Sequence, residues 1–403
     1  MRLEVKTVIK VEEKYKCCGC SACANICPMQ CISMQEDEEG FLYPSINKEK
    51  CINCNECENV CPVLNQKEEK ITDQFGYIVQ IKDEKIRQES TSGGAFTAIA
   101  QHVIKNGGVV FGVCYNRDFQ VMHDYVERKE ELGKFRNSKY VQSEIRNTFQ
   151  QAKHFLDEGR FVCFSGTPCQ IEGLKRYLKK EYENLITVDV VCRAVASPLV
   201  WKKYLNMQKK KCFGEIKKIL FRDKKKYGYQ YSTMSIYGEN NKLLYCNGID
   251  TDKMLRSFFS NICNRPSCYQ CRFKKRYRES DFTIWDCFIV SKFESSMDDN
   301  KGTTRLLIHN SKGKEVFKEL KKGLISKEVN ADILVKDIKE MFTSVSMNPK
   351  RREFFEMAEN REDLFEEFFP VGCMNYLEKN MRKICCCLGI YRYMKKVYGC
   401  FLK

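Results

Sequence analysis

The chain has 403 residues, 25 of them cysteine, with 30% charged side chains and a net charge of +16. The length exceeds what one hydrophobic core usually serves, so two or three domains are expected. No stretch reaches the roughly 18 to 20 apolar residues of a membrane span, and no nucleic-acid-binding motif accompanies the basic excess. Met1 to Lys10 reads MRLEVKTVIK and lacks the apolar run of a secretory signal. Thiols this numerous are therefore expected in a reducing cytoplasm rather than in disulfides.

The first motif in chain order is the strongest. Cys17, Cys20, Cys23 and Cys27-Pro28 are repeated as Cys51, Cys54, Cys57 and Cys61-Pro62, both runs spaced C-x2-C-x2-C-x3-C-P. That is the signature of a bacterial two-cluster ferredoxin, in which the fourth cysteine of each run crosses to the other cluster. One 4Fe-4S cluster is expected on Cys17, Cys20, Cys23 and Cys61, the other on Cys51, Cys54, Cys57 and Cys27. Zinc sites also use C-x2-C pairs, but they need four ligands rather than a doubled ladder of eight. Cys18 and Cys31 fall outside the spacing and read as small buried apolar residues without a role. Low-potential clusters of this kind point to an anaerobe.

After residue 66 the composition changes. Asn65 to Thr72 is polar and charged, cysteine disappears for some time, and a linker is expected there. Then strand, helix and strand patterns alternate: FGYIVQI (75 to 81), a helical stretch from 93 to 107, and GVVFGVCY (108 to 115). The pattern returns as a helix from about Ser143 to Glu158, a strand at 160 to 166, a helix from about Cys169 to Leu178, and LITVDVVC (185 to 192). This predicts an α+β multidomain protein: a ferredoxin-like unit (1–66), an α/β domain in two parts (75–158 and 159–325), and a helical C-terminal region (326–403).

Two loops of the α/β domain carry chemistry. Ser90-Thr91-Ser92-Gly93-Gly94 precedes a helix, whose N–H groups and dipole favour an anion such as a flavin phosphate; Gly and Ser there also serve as plain caps. Ser165-Gly166-Thr167-Pro168-Cys169-Gln170 places a cysteine at the carboxyl end of a strand, where open α/β folds bind ligands. Between Lys202 and Lys226 eleven basic residues face two acids. Such a run reads first as a solvated face, and second as a docking surface for an acidic redox partner or an anionic cofactor.

STSGGAF (90 to 96), NSKYVQS (137 to 143), FSGTPCQIEGLK (164 to 175), VDVVCRAVASPLVWKKYL (188 to 205) and RPSCYQCRFK (265 to 274) follow in order behind the ladder. In this combination the chain resembles the β subunits of coenzyme F420-reducing hydrogenases and dehydrogenases, over roughly residues 76 to 320. The resemblance implies a flavoprotein, with FAD in the α/β domain and a 4Fe-4S cluster beside it. It implies that Ser92, Gly93 and Gly94 contact phosphate, that Lys139, Tyr140, Gln142, Ser143 and Thr167 lie near the flavin, and that Cys169, Cys192, Cys268 and Cys271 hold a third cluster, with Cys263 as a substitute ligand. Cys268 and Cys271 form a ligand pair by spacing alone.

Two segments depart from that family. Its usual C-H-G-V-P-S-P reads Cys192-Arg193-Ala194-Val195-Ala196-Ser197-Pro198 here, replacing a proton-shuttling histidine with a permanent cation. Its usual S-D-x-T-I-G-D-F-W-G becomes Ser280-Asp281-Phe282-Thr283-Ile284-Trp285-Asp286-Cys287-Phe288, with Trp285 at a glycine position. The four histidines show no ligand spacing, and Asp281 with Asp286 is a candidate acid pair for proton transfer to a reduced flavin. Met381 to Lys403 is basic and aromatic. It reads either as a helix packed on the α/β domain or as a tail docking a protein or the inner face of a membrane. Two functions follow: a flavin-dependent iron–sulfur oxidoreductase acting with a redox protein or a small-molecule acceptor, or a non-catalytic electron-transfer subunit.

Overall fold

The computed structural model describes residue 11, residues 13–231 and 233–391, and residues 393 and 394. Met1 to Lys10 and most of the basic tail after Tyr391, including Tyr398, Cys400 and Phe401, lie outside the described residues.

In the ladder each cysteine run feeds a short helix, Ala22–Ile26 and Glu56–Asn59, and an antiparallel hairpin of Ile32–Glu36 with Leu42–Ile46 lies between them. The two runs share one backbone trace. Gly19 and Ser21 in the first, Asn53 and Asn55 in the second, all hold left-handed φ of 52 to 70°. Alternating left-handed residues turn successive N–H groups into a concavity that suits an anionic cluster.

Eight strands form the large sheet. Across it they run Leu324–Val329, Phe75–Ile81, Thr304–Ile308, Phe282–Asp286, Leu185–Val190, Val162–Gly166, Val109–Tyr115 and Val121–Val126. The four central strands, from Phe282–Asp286 to Val109–Tyr115, are parallel to one another, and the outer pairings are antiparallel. Buried on both faces, the central strands are runs of Val, Ile and Phe. Helices Ala95–Lys105 and Ser311–Leu320 cover one face, and Thr148–Asp157 and Pro168–Leu178 the other. Cys20, Ala22 and Val60 of the ladder join the core on that second face, so the small unit is packed into the large one.

The expected helix from Ser143 begins only at Thr148, because residues 141 and 144 are held extended in bridges to Ala196 and Met122. The boundary at 325 falls inside the edge strand Leu324–Val329, which pairs with Phe75–Ile81. A second sheet, Lys218–Leu220, Thr233–Tyr237 and Leu243–Gly248, adds to the elements expected from the sequence. It changes the reading of the basic run. Lys209, Lys210 and Lys211 are exposed, but Arg222, Asp223 and Lys224 are buried beside this sheet, so Lys202 to Lys226 is not one solvated face. The C-terminal helix Cys373–Cys387 packs through Arg382, which pairs with Asp250 and donates to Tyr231.

Candidate metal centres and flavin loops

The ladder folds into two groups of thiols. Burial raises the Cys23 thiol, and the neighbouring Cys17, Cys61 and Cys57 thiols raise it further; Cys61 in turn feels Cys17 and Cys57. Cys20, buried beside Cys23 and Cys61, joins Cys17, Cys23 and Cys61, and Cys57 lies close to this group as well. Cys27, Cys51, Cys54 and Cys57 line a second cavity together with Cys31, whose sulfur is 3.3 Å from Cys27 Sγ. Cys54 is exposed and Cys51 half-exposed, so the second group faces solvent, while the first faces the large sheet.

The four later cysteines come from distant segments and meet at one cavity. Cys169 follows the Val162–Gly166 strand and opens the helix Pro168–Leu178; Cys192 follows the adjacent parallel strand Leu185–Val190. Cys268 and Cys271 come from the short turn around Pro266–Gln270. All four line a cleft together with Thr167 and the cations Arg193, Arg272, Lys274 and Arg278, and among the described residues no carboxylate lines it. Burial pushes Cys192 up to about 12, with Cys169 and Cys271 adding to the effect against the opposing pull of Lys274. Cys268 is raised by burial and then by Cys192 and Cys271. Iron binding, which takes such thiols as thiolates, would offset the cost of ionising them in this buried place. Among the described residues no three His, Cys, Asp or Glu groups converge on a single ion. A cubane's ligands need no such convergence, since each binds its own iron.

The rim of this cleft is firmly built. Lys274 Nζ donates to the carbonyls of Cys192, Arg193 and Glu340. Arg278 pairs with Asp189 at 3.0 Å with both side chains only 2% exposed, and it also donates to Val190 O. Thr167 Oγ1 lies 3.1 Å from Cys169 Sγ.

Cys18, which spacing alone reads as a buried residue without a role, lies in the same cleft, close to Cys169. The Cys17-Cys18 doublet is the sequence signal for this, because neighbouring side chains of an extended segment point to opposite sides and so serve two sites. Cys263, the substitute ligand, is instead in the hydrophobic core with Trp201 and Phe258.

The flavin-loop candidates are tied into the protein. Ser92 Oγ donates to Thr303 O and Gly93 N to Thr304 Oγ1. Gly94, at φ +86°, leads directly into the helix Ala95–Lys105, whose first-turn N–H groups have no partner within the helix. Lys139 Nζ donates to the carbonyls of Lys134, Arg136 and Asn137, and burial lowers it to about 8. Tyr140 stacks on Phe258 at 4.6 Å; Gln142 accepts from Arg265, and Ser143 accepts from Gln170. Beside the Ser92 loop, Lys224 donates to Ser92 O and is lowered to about 7 by burial, while Arg222 pairs with Asp286 at 3.0 Å.

The candidate acid pair is not a pair. Asp281 accepts from Thr187 and Asn310 at one end of its strand, while Asp286 bonds Arg222 and Tyr229 at the other. The guanidinium of Arg193 is held by Asn261 Oδ1 and Phe259 O, with Glu340 at 3.5 Å. His123 and His309 are buried structural groups, lowered by burial to about 4 and about 3.

Family models match three stretches of the chain. The family model for the C terminus of the coenzyme F420 hydrogenase/dehydrogenase beta subunit matches residues 159–332, and its N-terminal counterpart matches residues 77–149. A 4Fe-4S dicluster domain matches residues 16–65. No curated protein matches the chain. A chain of the F420-reducing NiFe hydrogenase complex from Methanosarcina barkeri, in a xenon-derivatised structure, aligns over 74% of this chain and 91% of its own length. Its identity is 14% and its TM-score 0.42, too slight a likeness to carry an argument.

Proposed function

For a chain that belongs to the coenzyme F420 hydrogenase/dehydrogenase beta subunit family and carries a 4Fe-4S dicluster domain ahead of it, we propose an iron–sulfur flavoprotein oxidoreductase. Its ladder holds two clusters, Cys169, Cys192, Cys268 and Cys271 hold a third, and FAD in the α/β domain exchanges electron pairs with an unidentified organic acceptor or donor. The observation that carries this reading is the convergence of four thiols from three separate segments on one cleft lined by cations and free of carboxylates.

The flavin, when bound, supplies the step from one-electron carriers to two-electron chemistry. The chain's own groups orient and insulate. Lys274 and Arg278 fix the loops that present Cys192, and their charge favours an anionic cluster. Thr167 hydrogen-bonds Cys169, and hydrogen bonds to ligand sulfurs tune cluster potential. The first turn of the helix after Gly94 offers its N–H groups to a phosphate, although Ser92 Oγ and Gly93 N are spent on the neighbouring strand. Exposed Cys54, with Ile52 and Met29 beside it at 60% and 45% exposure, makes the outer end of the ladder the place for a redox partner.

Arg193, held by Asn261 and Glu340, puts a permanent cation where the family pattern has a histidine, which favours a second reading as a non-catalytic electron-transfer subunit. Anaerobic mixing with a low-potential one-electron donor separates the two. The oxidoreductase predicts bleaching of the cluster absorbance followed by bleaching of a flavin band. A purified holoprotein without any flavin band would leave only the relay.

A further inference from the structure

Arg265 is fully buried at 0% exposure, yet among the described residues no carboxylate pairs with it. Its Nε donates to the carbonyl of Cys17 at 2.9 Å, Nη1 to Gln142 Oε1 at 2.7 Å and Nη2 to Leu42 O at 3.0 Å. The ring of Tyr43 lies 4.3 Å from its guanidinium. The acids of the adjoining hairpin are engaged elsewhere, Glu39 with Arg351 and Asp37 with Lys14. An arginine cannot shed its proton, and an unpaired buried cation is costly. Thiols from both sites lie near it, Cys17 of the ladder and Cys18 and Cys268 of the cleft, together with the Tyr43 hydroxyl, and metal binding would take the ligating ones as thiolates.

The backbone makes the same link. Arg265 N donates to Val195 O, in the loop after Cys192, and Arg265 O accepts from Cys268 N. On the other side, a Cβ on Gly19 would stand 2.9 Å from the guanidinium carbon and 2.3 Å from Gln142 Nε2, so the ladder backbone is pressed against this charge. One residue is thus bonded to the inner turn of the ladder and to two loops of the cleft.

We propose that Arg265 is the shared counter-charge of the inner ladder cluster and of the cluster on Cys169, Cys192, Cys268 and Cys271, raising both reduction potentials relative to the outer ladder cluster. Each electron added to a thiolate-ligated cluster adds one negative charge, and a fixed cation in a poorly screened interior favours that reduced form. Electrons entering at the exposed Cys54 end are thereby drawn inward. The inference rests on the reading that the cleft holds a cluster.

Redox titration of the anaerobic full-length protein, with dithionite and mediators and followed by electron paramagnetic resonance, tests it. Arg265→Gln is expected to weaken the reduction equilibrium of both inner clusters tenfold or more, about 59 mV for a one-electron couple, and to leave the outer cluster unmoved. Arg265→Lys keeps the charge and stays near wild type. Gln142→Glu sets a carboxylate against the guanidinium while keeping its hydrogen bond; it shifts the inner potentials the same way and serves even if Arg265→Gln does not fold. Potentials unchanged in Gln142→Glu, equal shifts in every cluster, or a lysine variant as shifted as the glutamine one would overturn the proposal. About eight irons in the wild type would refute the cleft cluster, and with it the sharing of Arg265 between two clusters. About twelve irons with unmoved potentials would refute Arg265 alone.

Discussion

The ladder and the cleft gather cysteines in opposite ways. The ladder's eight thiols lie within 45 consecutive residues, Cys17 to Cys61, and their placement follows from spacing and a repeated left-handed turn. The cleft's four thiols span 103 residues, Cys169 to Cys271, and only the register of two parallel strands and a returning turn brings them together. The first arrangement is local and tolerates a solvent-facing end. The second exists only while the large sheet is intact, and it gains a cationic, carboxylate-free lining that a short local motif does not supply.

The largest break of this comparison is the double substitution Cys268→Ser with Cys271→Ser. It is expected to remove about four of about twelve irons, while the ladder's spectrum persists; iron and sulfide analysis measures it. Next is Arg278→Met, which leaves Asp189 charged and buried. Breaking such a pair costs about 3 to 5 kcal/mol, seen in denaturant unfolding of the sheet, with the ladder's local ligand set unaltered.

A smaller effect depends on pH. Asp252 is buried and raised from 3.8 to about 6 by burial, against hydrogen bonds from Tyr204, Leu255 and Tyr245. Between those values the unfolded chain releases a proton that the folded chain keeps. Stability of the large unit therefore falls as pH rises from about 4 to about 6, by at most about 3 kcal/mol, and is flat above. Asp252→Asn is expected to flatten that slope in thermal melts taken across this range. Smallest is Gly93→Ala. Its Cβ would stand 2.3 Å from Val79 O and 2.6 Å from Thr304 N, backbone atoms that cannot swing aside. Overpacking of this kind costs about 1 to 3 kcal/mol. Unchanged stability would mean that Gly93 is free to serve a ligand rather than the sheet.

The same contrast explains what is legible in the sequence. The ladder's spacing points to two groups of thiols, and the strands at 75–81 and 185–190 stand out as largely apolar runs. The second sheet does not stand out, because Lys218–Leu220 is three residues long and hidden in a basic run that reads as surface. Cys18 escapes notice because spacing assigns ligands along the chain, whereas Cys169, its neighbour in the cleft, is 151 residues away. Arg265 is visible only as part of the RPSCYQC motif, since the absence of a counter-ion is a property of the folded interior.

The most direct test of the central claim is quantitation of iron, acid-labile sulfide and flavin per chain in protein purified without oxygen. The account predicts about twelve irons, as many sulfides, and one flavin. About eight irons with no flavin would contradict it and leave a two-cluster relay.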